Sequence, residues 1–173
     1  MRRIYVLIIG LISLFLMACG SAGLSAGGGT EVKLGAEKSV PFEVKTAYAD
    51  MRPDLTEVHF ALANYDFTME PKSVNSLDKV TSDKQVRITF GLKGEKGEDF
   101  NNPVQPGEYT DSKLKWTDIY YFDNGDEQIS NVENRKGKVT ITSVTDTEIA
   151  GSIDITGDDG KVVKAEFKAK KVK

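Results

Sequence analysis

The sequence predicts an all-β domain: an antiparallel β-sandwich or a partly open barrel that ends in a three-strand meander. Three observations carry this reading. Beyond residue 38 apolar residues recur at every second position in short runs, the pattern of half-buried strands. The runs are bounded by Gly, Asn, Asp and Pro, the residues that terminate strands and build turns. No long window after the N-terminal segment repeats at 3.6 residues, so no amphipathic helix competes. Several strands at short spacing favour a sandwich or barrel over a parallel α/β sheet.

The chain of 173 residues does not begin with this domain. Met1-Arg2-Arg3 is a short positive start, and Ile4 to Met17 is an apolar run interrupted by Tyr5, Gly10 and Ser13. As a helix that run would measure roughly 21 Å, short of the ~30 Å hydrocarbon core of a bilayer. Residues 1–18 therefore read as a secretory signal peptide and not as a permanent span.

The run closes on Leu16-Met17-Ala18-Cys19, which resembles the lipobox of bacterial lipoproteins, and Cys19 is the one cysteine of the chain. The resemblance implies that Cys19 is diacylated on its sulfur and that the signal is cut just before it. The new amine is often acylated as well. A single acyl chain anchors only marginally, whereas two or three anchor almost permanently. The implied partner is thus a membrane, reached through acyl chains on Cys19. Gly20 follows the cysteine, where family experience links Asp to inner-membrane retention. The expected location is the cell envelope: the outer membrane in a two-membrane host, otherwise the outer face of the plasma membrane. Cleavage removes Arg2 and Arg3 and shifts the formal charge from −3 to −5. An acidic body is mildly repelled by anionic lipid, so the lipid itself does the anchoring.

Residues 19–38 read as the lipidated Cys19 and a flexible Gly/Ser/Ala tether, with 31–38 the ambiguous end of it. The β domain is expected over 39–173. Val40, Phe42 and Val44 alternate with polar neighbours, as do Val58, Phe60 and Leu62, and then Val86, Ile88, Phe90 and Leu92. In the next run Leu114, Trp116, Tyr120 and Phe122 hold the even positions, while Ile119 and Tyr121 make the strand apolar on both sides. Odd positions carry the apolar set in Val139 and Ile141, in Ile149, Ile153 and Ile155, and in Val163, Ala165, Phe167 and Ala169. Loop composition concentrates in 75–84 and 94–106.

The last hairpin can be registered from the sequence. Directly opposed residues share a face. A two-residue Asp159-Gly160 turn would mix faces by setting Ile155 against Lys164. A three-residue Asp158-Asp159-Gly160 loop sets Ile155 against Val163, Ile153 against Ala165 and Gly151 against Phe167. In that register the Phe167 ring covers the bare backbone at Gly151. The same parity predicts a preceding hairpin around Thr145-Asp146-Thr147.

The runs Val-Thr-Ile-Thr-Ser-Val (139–144), Gly-Ser-Ile-Asp-Ile-Thr (151–156) and Lys-Ala-Glu-Phe-Lys-Ala (164–169) resemble the C-terminal strands of uncharacterised all-β bacterial lipoproteins. Pro106-Gly107-Glu108-Tyr109-Thr110 resembles their Pro-Gly-x-Tyr element. That resemblance implies an all-β fold and brings no assigned activity.

Composition removes several chemistries. One Cys excludes a disulfide framework, and one His excludes paired-His zinc motifs. The acidic balance argues against a nucleic-acid partner. His59 lies opposite the Val58/Phe60/Leu62 face near Glu57 and reads as a half-exposed, dispensable strand residue, with no Gly-x-Ser-x-Gly elbow in the chain to complete a triad. Its removal is expected to cost less than about 1 kcal/mol. The acid groups Glu98/Asp99, Asp123/Asp126/Glu127 and Asp158/Asp159 sit in turn-like stretches. Asp123-Asn124-Gly125-Asp126 lacks the EF-hand order and reads as a hairpin turn. No metal or other cofactor is expected. Lysines 161, 164, 168, 170, 171 and 173 read as the solvent face of an edge strand.

Trp116, Tyr120, Tyr121 and Phe122 are the candidate binding face, weighed against plain core packing. The function expected is therefore a membrane-anchored envelope lipoprotein with a non-enzymatic β domain that binds a protein or a glycan. The alternatives are a small barrel for an apolar ligand and an envelope hydrolase built on His59.

Overall fold

The computed structural model describes residues 30–35, 38–53, 55–69, 77–96 and 103–172. The expected signal peptide, Cys19 with the expected tether as far as residue 29, and the Glu98/Asp99 pair lie outside the described residues.

The domain is all-β, a curled open sheet that forms a half-barrel. Its strands are β1 (Glu31–Leu34), β2 (Ser39–Pro41), β3 (Thr46–Asp50), β4 (Val58–Ala63), β5 (Val86–Leu92) and β6 (Gly107–Tyr109), then β7 (Leu114–Asp123), β8 (Asp126–Asn131), β9 (Lys136–Val144), β10 (Glu148–Thr156) and β11 (Lys161–Val172). Among the described residues the one helical element is a 3-10 turn over Asp111–Lys113. The main path runs β6-β9-β10-β11-β3-β4-β5-β7-β8, with β1 paired to β11 and to β2 beside it. Every pair is antiparallel except β11 with β3.

The concave side holds the core. Val58, Phe60 and Leu62 of β4, Val86, Ile88, Phe90 and Leu92 of β5, and Ile149, Ile153 and Ile155 of β10 all point inward and are buried. Phe60 and Phe90 are cross-strand partners whose rings stack at 4.8 Å, and Phe167 leans on both at 5.6 and 5.9 Å. Removing one such ring costs about 3–5 kcal/mol, a large part of the ~5–15 kcal/mol that holds a typical domain together. The inward alternation read from β4, β5, β10 and β11 is present in the structure.

The C-terminal hairpin has the register derived from face parity. Ile155 faces Val163, Ile153 faces Ala165 and Gly151 faces Phe167. The loop is Asp158-Asp159-Gly160, with Gly160 at φ 78° and the Gly157 amide donating to the Lys161 carbonyl at 2.9 Å. The Phe167 ring covers Gly151: a Cβ there would stand 3.1 Å from its Cζ. The Asp123-Asn124-Gly125-Asp126 stretch is a two-residue hairpin turn with Asn124 at φ 51° and Gly125 at φ 88°, the conformation that Asn-Gly favours.

Four expectations are corrected. The tether does not extend to 38, because Glu31–Leu34 is a strand of the sheet with Val32 fully buried. In β7 the even positions are not all inward. Leu92 pairs with Leu114 while Gly91 pairs with Trp116, so Lys115 is an extra residue that reverses the alternation. Thr117, Ile119 and Tyr121 then face inward with Ile88 and Phe90, and Trp116, Tyr120 and Phe122 face outward. A second shift in the β9–β10 ladder leaves Thr142 unopposed, and the tip of that hairpin is closed by the Thr145–Glu148 bond of 2.9 Å. Finally, β11 is not an edge strand. One side pairs with β10; the other is shared by β1 along its first residues and β3 along its last. Of its lysines, Lys164 pairs with Asp154 of β10 at 3.2 Å and Lys161 with Asp159 of the turn.

Gly160→Val forces a β-branched residue into the left-handed region and is expected to cost about 1–3 kcal/mol. Asp159→Asn keeps an acceptor for the Lys161 amide and loses only a partly exposed ion pair, so its cost should stay below about 1 kcal/mol. Urea unfolding of the two variants beside the parent checks the ordering. Equal costs would contradict the turn geometry.

Candidate functional site

The four aromatic residues expected to share a binding face are split by the extra residue in β7. Tyr121 lies inward, half-buried against the core, with Lys38 over its ring at 5.3 Å. Tyr120 and Phe122 lie outward but belong to a second apolar cluster on the convex side. Tyr65, Phe67 and Met69 alternate with exposed Asp66 and Thr68 as the chain leaves β4, and these three, with Val80, cover Ala61, Ala63, Tyr48, Tyr120 and Phe122. The Ala side chains of β4 leave the depth that this strap fills.

Arg87 holds the strap in place. It is 4% exposed and projects outward from β5. Its guanidinium lies 4.2 Å over the Tyr120 ring, donates to the Asp78 carbonyl at 2.5 Å and to the Tyr65 hydroxyl at 3.3 Å, and faces Glu127 of β8 at 3.4 Å. Glu127 also accepts from the Val80 amide at 2.7 Å. Burial pushes the Tyr65 hydroxyl above the ordinary tyrosine range, against the pull of Arg87. These two aromatic residues and their cationic neighbour are thus committed to structure.

Trp116 is different. It sits at the other end of the convex face, in a row that crosses four strands: Asp50 of β3, His59 of β4, Gly91 of β5 and Trp116 of β7 are successive cross-strand partners. Gly91 is the missing side chain of that row. A Cβ there would fall 2.5 Å from Trp116 Nε1 and 3.0 Å from Cε2, so the indole lies directly on the glycine backbone. From that seat the indole N–H donates to Glu57 Oε1 at 2.8 Å. His59 Nε2 donates to the same oxygen at 2.9 Å, and its ring stands edge-on to the indole at 5.3 Å and 79°. Asp50, 1% exposed, accepts from the Arg52 side chain at 3.1 Å.

The electrostatics follow from these contacts. The His59 hydrogen bond holds the Glu57 carboxyl below its ordinary range; burial opposes it, while the Trp116 bond and the charges of His59 and Lys115 assist. Two residues along β7 from Trp116, burial raises the Asp118 carboxyl, and the bond from the Asn131 amide and the charge of Arg135 only partly offset this. His59 is therefore not the solitary surface residue the sequence suggested. Its side chain is 20% exposed and has both an acidic and an aromatic partner. Glu57 gave no sequence signal beyond its nearness to His59, since the contact that matters comes from 59 positions away.

Among the described residues no group of three or more His, Cys, Asp or Glu is gathered as around a metal ion, and no helix is long and apolar enough to cross a membrane. The chain matches no known family model, no curated protein and no solved structure.

His59→Ala is expected to destabilise by about 1–2 kcal/mol, because it removes a hydrogen bond to a charged group. Glu57→Gln carries a pH signature. A carboxyl whose folded pKa is depressed stabilises above its unfolded pKa and loses that contribution as pH falls through the folded value. The stability gap between the parent and Glu57→Gln should be largest at neutral pH and close in acid. Chemical denaturation at pH 7, 5 and 3 reads this directly, and a gap that does not change with pH would contradict it.

Proposed function

We propose that the chain is a membrane-anchored lipoprotein of the cell envelope whose β domain binds a protein or a glycan without acting on it. The observation that carries the anchor is Leu16-Met17-Ala18-Cys19 at the end of an apolar run that is too short to span a bilayer. The short distance in sequence from Cys19 to Glu31, the first strand residue, supports a domain held close to the lipid surface.

The binding reading rests on the convex face. The concave side is filled by its own side chains, with the Phe60, Phe90 and Phe167 rings in mutual contact, which weighs against a barrel that encloses an apolar ligand. A hydrolase reading gains one observation, the Glu57–His59 pair. That pair lies on an outward strand face, and its hydrogen-bonded aromatic partner is an indole in place of a nucleophilic hydroxyl. Recognition is the chemistry such a set performs.

The anchor is tested on Cys19. The parent should incorporate labelled palmitate and remain with membranes after a high-salt wash. Cys19→Ser should take up no label and either leave the membrane fraction or accumulate as uncut precursor. A Cys19→Ser protein that is still cleaved and still pellets with membranes would overturn the proposal.

A further inference from the structure

We infer that Trp116 on its Gly91 seat, with Glu57 and His59, is a binding site for an all-equatorial pyranose ring of a glycan. The inference rests on the proposed binding role and names its ligand class. Three observations converge. First, Trp116, Glu57 and His59 form a short strip on the convex face, and Gly91 leaves the indole lying on the sheet without a neighbour's side chain beneath it. The C–H face of an all-equatorial pyranose is flat and apolar, and an indole plane is its complement.

Second, the strip is polar where a sugar is polar. Glu57 spends Oε1 on both the Trp116 and His59 donors, which leaves Oε2 to accept from a hydroxyl. With Nε2 committed to Glu57, the second ring nitrogen of His59 is left for a sugar hydroxyl, as acceptor from it in the neutral ring or donor to it in the charged one. Third, the strip lies apart from the strap. Trp116 and His59 are not in the apolar cluster that Tyr65, Phe67 and Met69 cover. A peptide partner would call for a row of apolar side chains. This row offers an indole flanked by a carboxylate and an imidazole.

The protein carries its own probe, because Trp116 is its one tryptophan. The full-length chain in detergent micelles is titrated with cellotriose and with N,N′,N″-triacetylchitotriose while its emission and acrylamide quenching are recorded. At least one saccharide should shift the emission saturably and protect the indole from acrylamide. Gly91→Ala, which displaces the indole from its seat, should weaken that binding ten-fold or more. Where Gly91→Ala fails to fold, Glu57→Gln and His59→Gln, which leave the seat intact, should each weaken it several-fold.

An emission that neither saccharide changes at millimolar concentration, in protein with an intact unfolding transition, overturns the inference. So does an affinity equal to the parent's in every folded variant. Cys19→Ser separates the two readings. It should bind saccharide as the parent does whether or not the anchor proposal holds, so loss of anchoring and loss of glycan binding are scored independently.

Discussion

The arrangement of the whole convex face depends on one extra residue in one ladder. With Leu92 opposite Leu114 and Gly91 opposite Trp116, Lys115 has no partner in β5. A strand face inverts whenever the pairing slips by one. Upstream of Lys115 the strand contributes Leu114 to the core, and downstream it contributes Ile119 and turns Trp116, Tyr120 and Phe122 to the outside. Arg135 secures the place where the slip occurs, donating to the Lys115 carbonyl at 2.7 Å and the Leu114 carbonyl at 3.3 Å. Without those donors the irregular stretch would leave backbone oxygens poorly satisfied.

An outward aromatic row needs a cover or a seat, and this molecule has both. Tyr120 and Phe122 are roofed by the strap, which makes the convex face a second, smaller core. The roof is fixed by a buried guanidinium, a costly group to bury unless it is well paired. Arg87 meets that cost with a carbonyl, a phenol, a carboxylate and a ring face, although its Nε has no acceptor among the described residues. Trp116 lies beyond the roof and is held by Gly91 and Glu57 instead. The same strand face is thus roofed by a strap at one end and seated on a glycine at the other.

How much of this could be read from the chain varies by element. β4, β5, β10 and β11 were legible because one of their faces is the core and their alternation is uninterrupted. The last turn was legible because parity and the Asp-Asp-Gly composition agree on one loop length. β3 was not, since Ala47, Tyr48 and Ala49 carry no contrast between the faces. β1 is too short, and β8 too polar, with Gln128 and Ser130 on its inward side and Ile129 59% exposed on its outward side. The error in β7 has a definite cause. When 119–122 is apolar at every position, periodicity cannot say which side faces the barrel. The answer lies in a covering segment that is distant in sequence. For the same reason the candidate site was half-seen: Trp116 and His59 each stood out by rarity, whereas Gly91 and Glu57 acquire their meaning only from the register that joins four strands.

The place of β11 has a consequence for how the chain acquires its structure. Strands β1, β3 and β10 all hydrogen-bond to it, and it follows every one of them in the chain. β10 can fold back on β9, β1 on β2 and β3 on β4 as local pairs, but the second edge of β1 and of β3 must wait for a partner more than a hundred positions away. Loop closure over such distances slows folding and leaves strand edges open in the meantime. During synthesis, then, one edge of β1 and one edge of β3 stay open until the last strand emerges. The path from β6 to β8 therefore becomes one continuous sheet only when the final strand of the chain takes its place between β10 and β3.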